Sequence, residues 1–85
     1  MDMKLAILSS LRFELTKLAK ADIKKGKLKT DVSYDLKPNA ERLIKAWRDN
    51  PLTGKTLSSL GITDEELTQM MKEVLTEVGI KKIKE

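Results

Sequence analysis

ITDEELTQMMKEVLTEVGI, residues Ile62–Ile80, contains both ends of a helix and the buried face between them. Thr63 is an N-cap, and Glu66 three residues later completes a capping box; Ile62 before the cap and Leu67 at the fourth helical position form a hydrophobic staple. Asp64, Glu65 and Glu66 set negative charge against the positive end of the helix dipole. Leu67, Met70, Met71, Val74, Leu75 and Val78 recur at steps of three and four, which places them on one side. Gly79 followed by Ile80 reads as a Schellman stop. An amphipathic helix so clearly bounded needs other helices to cover its apolar side.

Working outward, the spacing predicts two more long helices. The first runs from Asp2 to Lys25, with Leu8, Leu11, Leu15 and Leu18 on one stripe and Ala19 beside it. Lys24 and Lys25 complement its carbonyl end, and Gly26 supplies a left-handed stop. Lys4 and Asp22 break the stripe at either end, which favours a bundle helix over an extended coiled coil. The second begins at Pro38, with Asn39 as an alternative cap, and buries Ala40, Leu43, Ile44 and Trp47 until Asn50-Pro51 ends it. A short helix is expected over Thr56–Leu60, between Gly54, read as a turn residue, and Gly61. In Lys27–Lys37, Val32, Tyr34 and Leu36 alternate with polar residues as in a strand with one buried face. That segment could pair with Ile80–Ile83 or with a second copy of the chain, but an extended arm across the helices is the favoured reading. The tail Lys81–Glu85 is expected to fray. The fold expected is therefore all-α: a small bundle of three main helices plus one short helix, with an extended arm around residues 28–37, in a single helical domain spanning residues 1–85.

With 85 residues, 40% of them hydrophobic, the chain has enough apolar surface for one core and no room for two. It has no cysteine and no histidine. That excludes a disulfide framework, a Cys/His zinc site and any nucleophile activated by histidine. The carboxylates fall at helix starts or on solvent faces, Asp31/Asp35 and Asp64/Glu65 match no calcium loop, and so neither an enzyme nor a bound metal or cofactor is expected. The longest apolar run, Leu5–Leu8, is far short of the roughly 20 residues that cross a bilayer. The start, Met1–Lys4, lacks the marks of a signal peptide, and the cytoplasm is the expected compartment.

Charge is unevenly spread. Residues 1–30 carry eight bases and three acids, residues 31–60 five and four, residues 61–85 four and six. The net +4 thus leans towards the beginning of the chain, which suggests an anionic partner for that part.

Two motif-like stretches fail on inspection. Gly54-Lys55-Thr56 echoes the end of a phosphate-binding loop, but Asp49 stands where its first glycine belongs. Thr56–Ile62 and the capped helix after it have the rhythm of a helix–turn–helix, yet Asp64, Glu65 and Glu66 would face the phosphates. Two helix faces are better candidates. On the first helix Phe13 lies opposite the leucine stripe and shares its side with Lys17, Lys20 and Lys24. Phe13 could stack on a base there, but burial under another element or a second copy, worth ~1.5–3 kcal/mol, is the favoured outcome. On the second helix Arg42, Lys45 and Arg48 make a basic row that either tracks phosphates or is simply solvated. Reversing Arg42 and Arg48 is expected to spare folding.

These readings point to a non-catalytic regulatory or adaptor module that binds another protein, because Phe13 and the four methionines offer adaptable apolar contact. The alternative is a small basic DNA- or RNA-binding regulator that uses the basic faces of the first two helices. A first helix apolar on two sides also suggests a homodimer.

Overall fold

The computed structural model describes residues 2–85; Met1, where the stretch read for a leader begins, lies outside them. The order of elements is α1 (Met3–Lys24), β1 (Tyr34–Asp35), α2 (Leu36–Asp49), α3 (Pro51–Ser59), α4 (Asp64–Glu77) and β2 (Ile83–Lys84). This is the small all-α bundle, three long helices and one short, that the periodicity predicts.

The helix ends follow local chemistry. Asp2 caps α1, its carboxylate accepting from the Lys4 N–H at 3.0 Å. In α4 the Thr63 hydroxyl accepts from the Glu66 N–H at 3.2 Å while the Thr63 N–H donates to Glu66 Oε1 at 3.1 Å, the reciprocal pair of a capping box. Its other end is a Schellman motif. Gly79 adopts φ 102°, its N–H reaches Thr76 O, and the Ile80 N–H reaches Leu75 O. The same device closes α3 at Gly61 and directs Ile62 into the core.

Leu36, Ala40 and Ile44 from α2, Leu57 from α3, and Leu67, Met70, Met71 and Leu75 from α4 form the core with Ile62 and Ile80. Leu57 and Leu67 are wholly enclosed. α1 acts mainly as a cover: Leu8, Leu11 and Leu15 pack on this cluster half-buried, and of its residues only Ala19 is fully buried. Leu18, expected on the buried stripe, is 60% exposed, because the line of contact runs through Leu8, Leu15 and Ala19 and leaves Leu18 at its edge. α1 and α4 run parallel, with Lys4 beside Glu66 near their starts and Arg12 beside Glu73 and Glu77 further along.

Three boundaries differ from expectation. α2 starts at Leu36 rather than Pro38, which is compatible with Pro38 because the first-turn N–H groups lack intrahelical partners anyway. Leu36 consequently enters the core as a helical residue, and the alternating segment is cut to the two residues of β1, with Val32 left exposed. β1 pairs in parallel with β2, Tyr34 opposite Ile83 and Asp35 opposite Lys84, so the tail expected to fray is held. Backbone groups left unpaired by an isolated arm find partners this way, and Lys72 grips Glu85 at 2.8 Å. Finally, Gly54 is not a turn. α3 begins at Pro51, capped by Asn50, whose side chain accepts from the Leu52 and Thr53 N–H groups at 3.1 Å, and Gly54 lies buried inside it. A Cβ at Gly54 would collide with the carbonyl oxygen of Arg48 and lie 3.0 Å from its carbonyl carbon, so glycine is what lets α3 close against the end of α2.

Candidate binding surface

α1 presents its outward side to solvent because α4 takes the opposite one. Phe13, Lys17, Lys20 and Lys24 all lie there and all are exposed. Phe13 is 65% exposed within the chain, so of the two coverings expected for it, another element and a second copy, the first is not present. Its ring carries the Lys17 ammonium 5.6 Å from the centroid, a cation–π contact of about 0.5–1 kcal/mol at an exposed site. Among the described residues no carboxylate lies within ion-pairing distance of Lys17, Lys20 or Lys24. The four residues that the helical period grouped together are therefore an exposed aromatic among uncommitted cations.

The basic row on α2 is engaged with its own chain. Arg42 donates to the Asn39 side-chain oxygen. Lys45 bonds Asp49 at 2.7 Å, one turn away, and that hydrogen bond pushes its ammonium pKa up. Arg48 is more deeply involved. It donates through Nε to Asp64 at 2.8 Å and through its terminal nitrogen to the Ile62 carbonyl at 3.0 Å, tying the end of α2 to the start of α4. Arg48, read from the sequence as flanking the buried face, thus bridges α2 and α4, while Arg42 keeps the peripheral position assigned to it. Lys45 and Arg48, but not Arg42, border with neighbouring acids an open groove of about 800 Å³ between α2 and α4, floored by Leu36, Ala40 and Ile44. Positive and negative walls alternate along it.

The acids of α4, rather than the basic excess of residues 1–30, are what the ion pairs consume: of the eight bases in that stretch only Lys4 and Arg12 are paired among the described residues. Among the described residues, five of the six ion pairs end on α4: Lys4–Glu66, Arg12–Glu73, Arg12–Glu77, Arg48–Asp64 and Lys72–Glu85. The hydrogen bond from Lys4, and next the Thr63 N–H, holds the Glu66 carboxyl below the usual range; Arg12, and then Gln69, does the same for Glu73. In turn the hydrogen bond to Glu73 raises Arg12. The acids that argued against α4 as a nucleic-acid reader are mostly matched by bases from α1 and α2. Two of the four methionines, Met70 and Met71, lie in the core and offer nothing to a partner.

No helix among the described residues is long and apolar enough to cross a membrane. Among the described residues no polar or charged residue is buried, and no three acids gather in a way that could hold a metal ion. What the surface of α1 can do is present charge and one aromatic ring to a partner. Periodicity alone grouped Phe13 with its lysines, and the i,i+4 spacing of Lys45 and Asp49 was a local sign that part of the α2 row is engaged, but nothing local revealed the partner of Arg48, sixteen positions away. Comparison with protein-family models, characterised proteins and solved structures gives no match for this chain.

Proposed function

We propose that this protein is a non-catalytic binding module, regulatory or adaptor in role, that receives an acidic segment of another protein on the outward face of α1. The observation that carries the reading is Phe13, 65% exposed beneath Lys17, with Lys20 and Lys24 beside it and free of carboxylate partners. A segment mixing carboxylates with apolar side chains would satisfy the ammonium groups and cover the ring together. Nucleic acid is the competing partner. The face holds lysines and no arginine, so it lacks the planar fork best suited to bidentate reading of base edges, while its ammonium groups meet carboxylates and phosphates alike. A second copy is a poorer occupant, because a two-fold contact through this face would set its lysines against themselves.

The test is titration of a labelled peptide of glutamate and leucine, and of a single-stranded DNA of equal charge, into the protein at increasing salt. The expected result is tighter binding of the peptide, weakened by Phe13→Ala and by the pair Lys17→Glu and Lys20→Glu. Preferential binding of DNA with a steep log–log salt dependence would establish the nucleic-acid reading instead. Binding of both probes unaffected by these substitutions would remove the α1 face altogether.

A further inference from the structure

The lysines of α1 continue past its end. Because α1 and α4 run parallel, the chain leaving α1 after Gly26 and the chain leaving α4 after Gly79 emerge at the same end of the molecule. There they are joined: the Lys81 N–H donates to Thr30 O at 3.2 Å and the Tyr34 N–H to Lys82 O at 2.9 Å, ahead of the β1–β2 pairing. The bond between Thr30 and Lys81 thereby brings Lys29, and with it the stretch from Lys27, close to Lys81 and Lys82, more than fifty positions later in the chain, while Lys24 and Lys25 lead into that stretch from the end of α1. All six are exposed, and among the described residues none lies within ion-pairing distance of a carboxylate.

Two acids, Asp22 and Asp31, accompany these six lysines, and Glu77 at the end of α4 turns to Arg12. With Lys84, Asp35, Glu77 and Glu85 of the same end included, seven lysines stand against five acids there, so this end is net positive. Compensation of the two helix dipoles accounts for part of it, since cations favour carbonyl ends. That benefit fades within about one turn, and Lys29 and Lys82 lie beyond it.

We infer that the partner-binding surface runs along the outward face of α1 and turns over its end onto Lys27, Lys29, Lys81 and Lys82, and that its occupant is an extended acidic protein segment. This rests on the acidic-protein reading above. From Phe13 to Lys24 the helix rises about 16 Å, which about five residues of extended chain would cover, and crossing the end takes more. A compact anion would need cations converging on one point, whereas these are strung along two separate stretches of chain. Lysines, as hydrated point charges on flexible stems, suit many loose carboxylate contacts rather than a few planar ones.

The experiment compares a long acidic peptide with a half-length version, on the wild type and on the double variant Lys81→Glu/Lys82→Glu. With two attractions removed and two repulsions added, the long peptide is expected to lose about tenfold in affinity and the short one to change little. The charge-removing pair Lys81→Gln/Lys82→Gln should show the same order with a smaller loss, and Trp47 fluorescence verifies that both variants fold. Unchanged long-peptide binding, with Lys17→Glu/Lys20→Glu still effective, would overturn the extension and leave the α1 reading standing. If neither pair matters, both fall. If single-stranded DNA binds more tightly than the long peptide and is released by Lys81→Glu/Lys82→Glu, the surface is real and the partner class is wrong.

Discussion

Gly54→Ala puts the packing of α3 against the end of α2 to the test. Within an ordinary helix the change is stabilising by about 1 kcal/mol, because alanine loses less backbone entropy. Here the added Cβ would collide with the Arg48 carbonyl oxygen and stand 3.0 Å from the carbonyl carbon and 3.3 Å from its Cα. All three are backbone atoms, so relief comes only by moving α3 bodily away from the end of α2. Leu57, three residues further along α3 and without exposed surface, would be drawn out of its place with it. Overpacking of this kind costs about 1–3 kcal/mol, and a rigid backbone obstacle belongs at the upper end. Setting that against the propensity gain leaves a net loss of about 2 kcal/mol, which in a domain this small lowers Tm by roughly 8–16 °C. Urea unfolding followed through Trp47, half-buried against the core and adjacent to Arg48, reads the change at the right place. Lys55→Ala, exposed on the same helix, serves as the control and should stay within about 0.5 kcal/mol of wild type. A Gly54→Ala protein as stable as wild type, or more so, would refute the claim that glycine is required by contact with α2.

Thr63→Ala removes the hydroxyl that accepts from the Glu66 N–H, and chemical denaturation should register a loss of about 0.5–2 kcal/mol; no loss would mean that α4 does not depend on this cap. Arg48→Glu sets a carboxylate against Asp64 and strips the Ile62 carbonyl of its donor, so it should destabilise by about 1 kcal/mol after allowance for solvent screening. Arg42→Glu should remain within about 0.5 kcal/mol, and equal effects of the two would contradict the structural role given to Arg48. Glu66 and Glu73 are held below the usual carboxylate range by Lys4 and Arg12, so their contribution is present above the unfolded-state value of about 4.3 and is lost as pH falls through the lower folded-state value. Tm should therefore drop on acidification below about pH 4, and Glu73→Gln should flatten that drop; superimposable acid limbs would exclude the Arg12–Glu73 linkage.

Features of the fold that follow from residues within about four positions of one another could be read from the chain directly. The capping box at Thr63 and Glu66, the Schellman stop at Gly79 and Ile80, and the stripe from Leu67 to Leu75 depend on the helical period and on hydrogen bonds that span one turn. The side shared by Phe13, Lys17, Lys20 and Lys24 is of the same kind, because it follows from geometry within one helix. Whether that side is covered is a question about distant chain, and no other element of this chain covers Phe13. Gly54 looked like a turn residue because its constraint is the Arg48 backbone of a neighbouring helix rather than its own dihedral angles. Arg42 and Arg48 are alike as letters in a basic row, and they differ because only Arg48 meets Asp64 and the Ile62 carbonyl after the corner between α3 and α4 has closed. The pairing of Tyr34 with Ile83, and with it the gathering of Lys27, Lys29, Lys81 and Lys82 at one end, requires α1 and α4 to lie parallel. That arrangement is set by burying the side faces of both helices around a common core, and no pattern inside either segment specifies it.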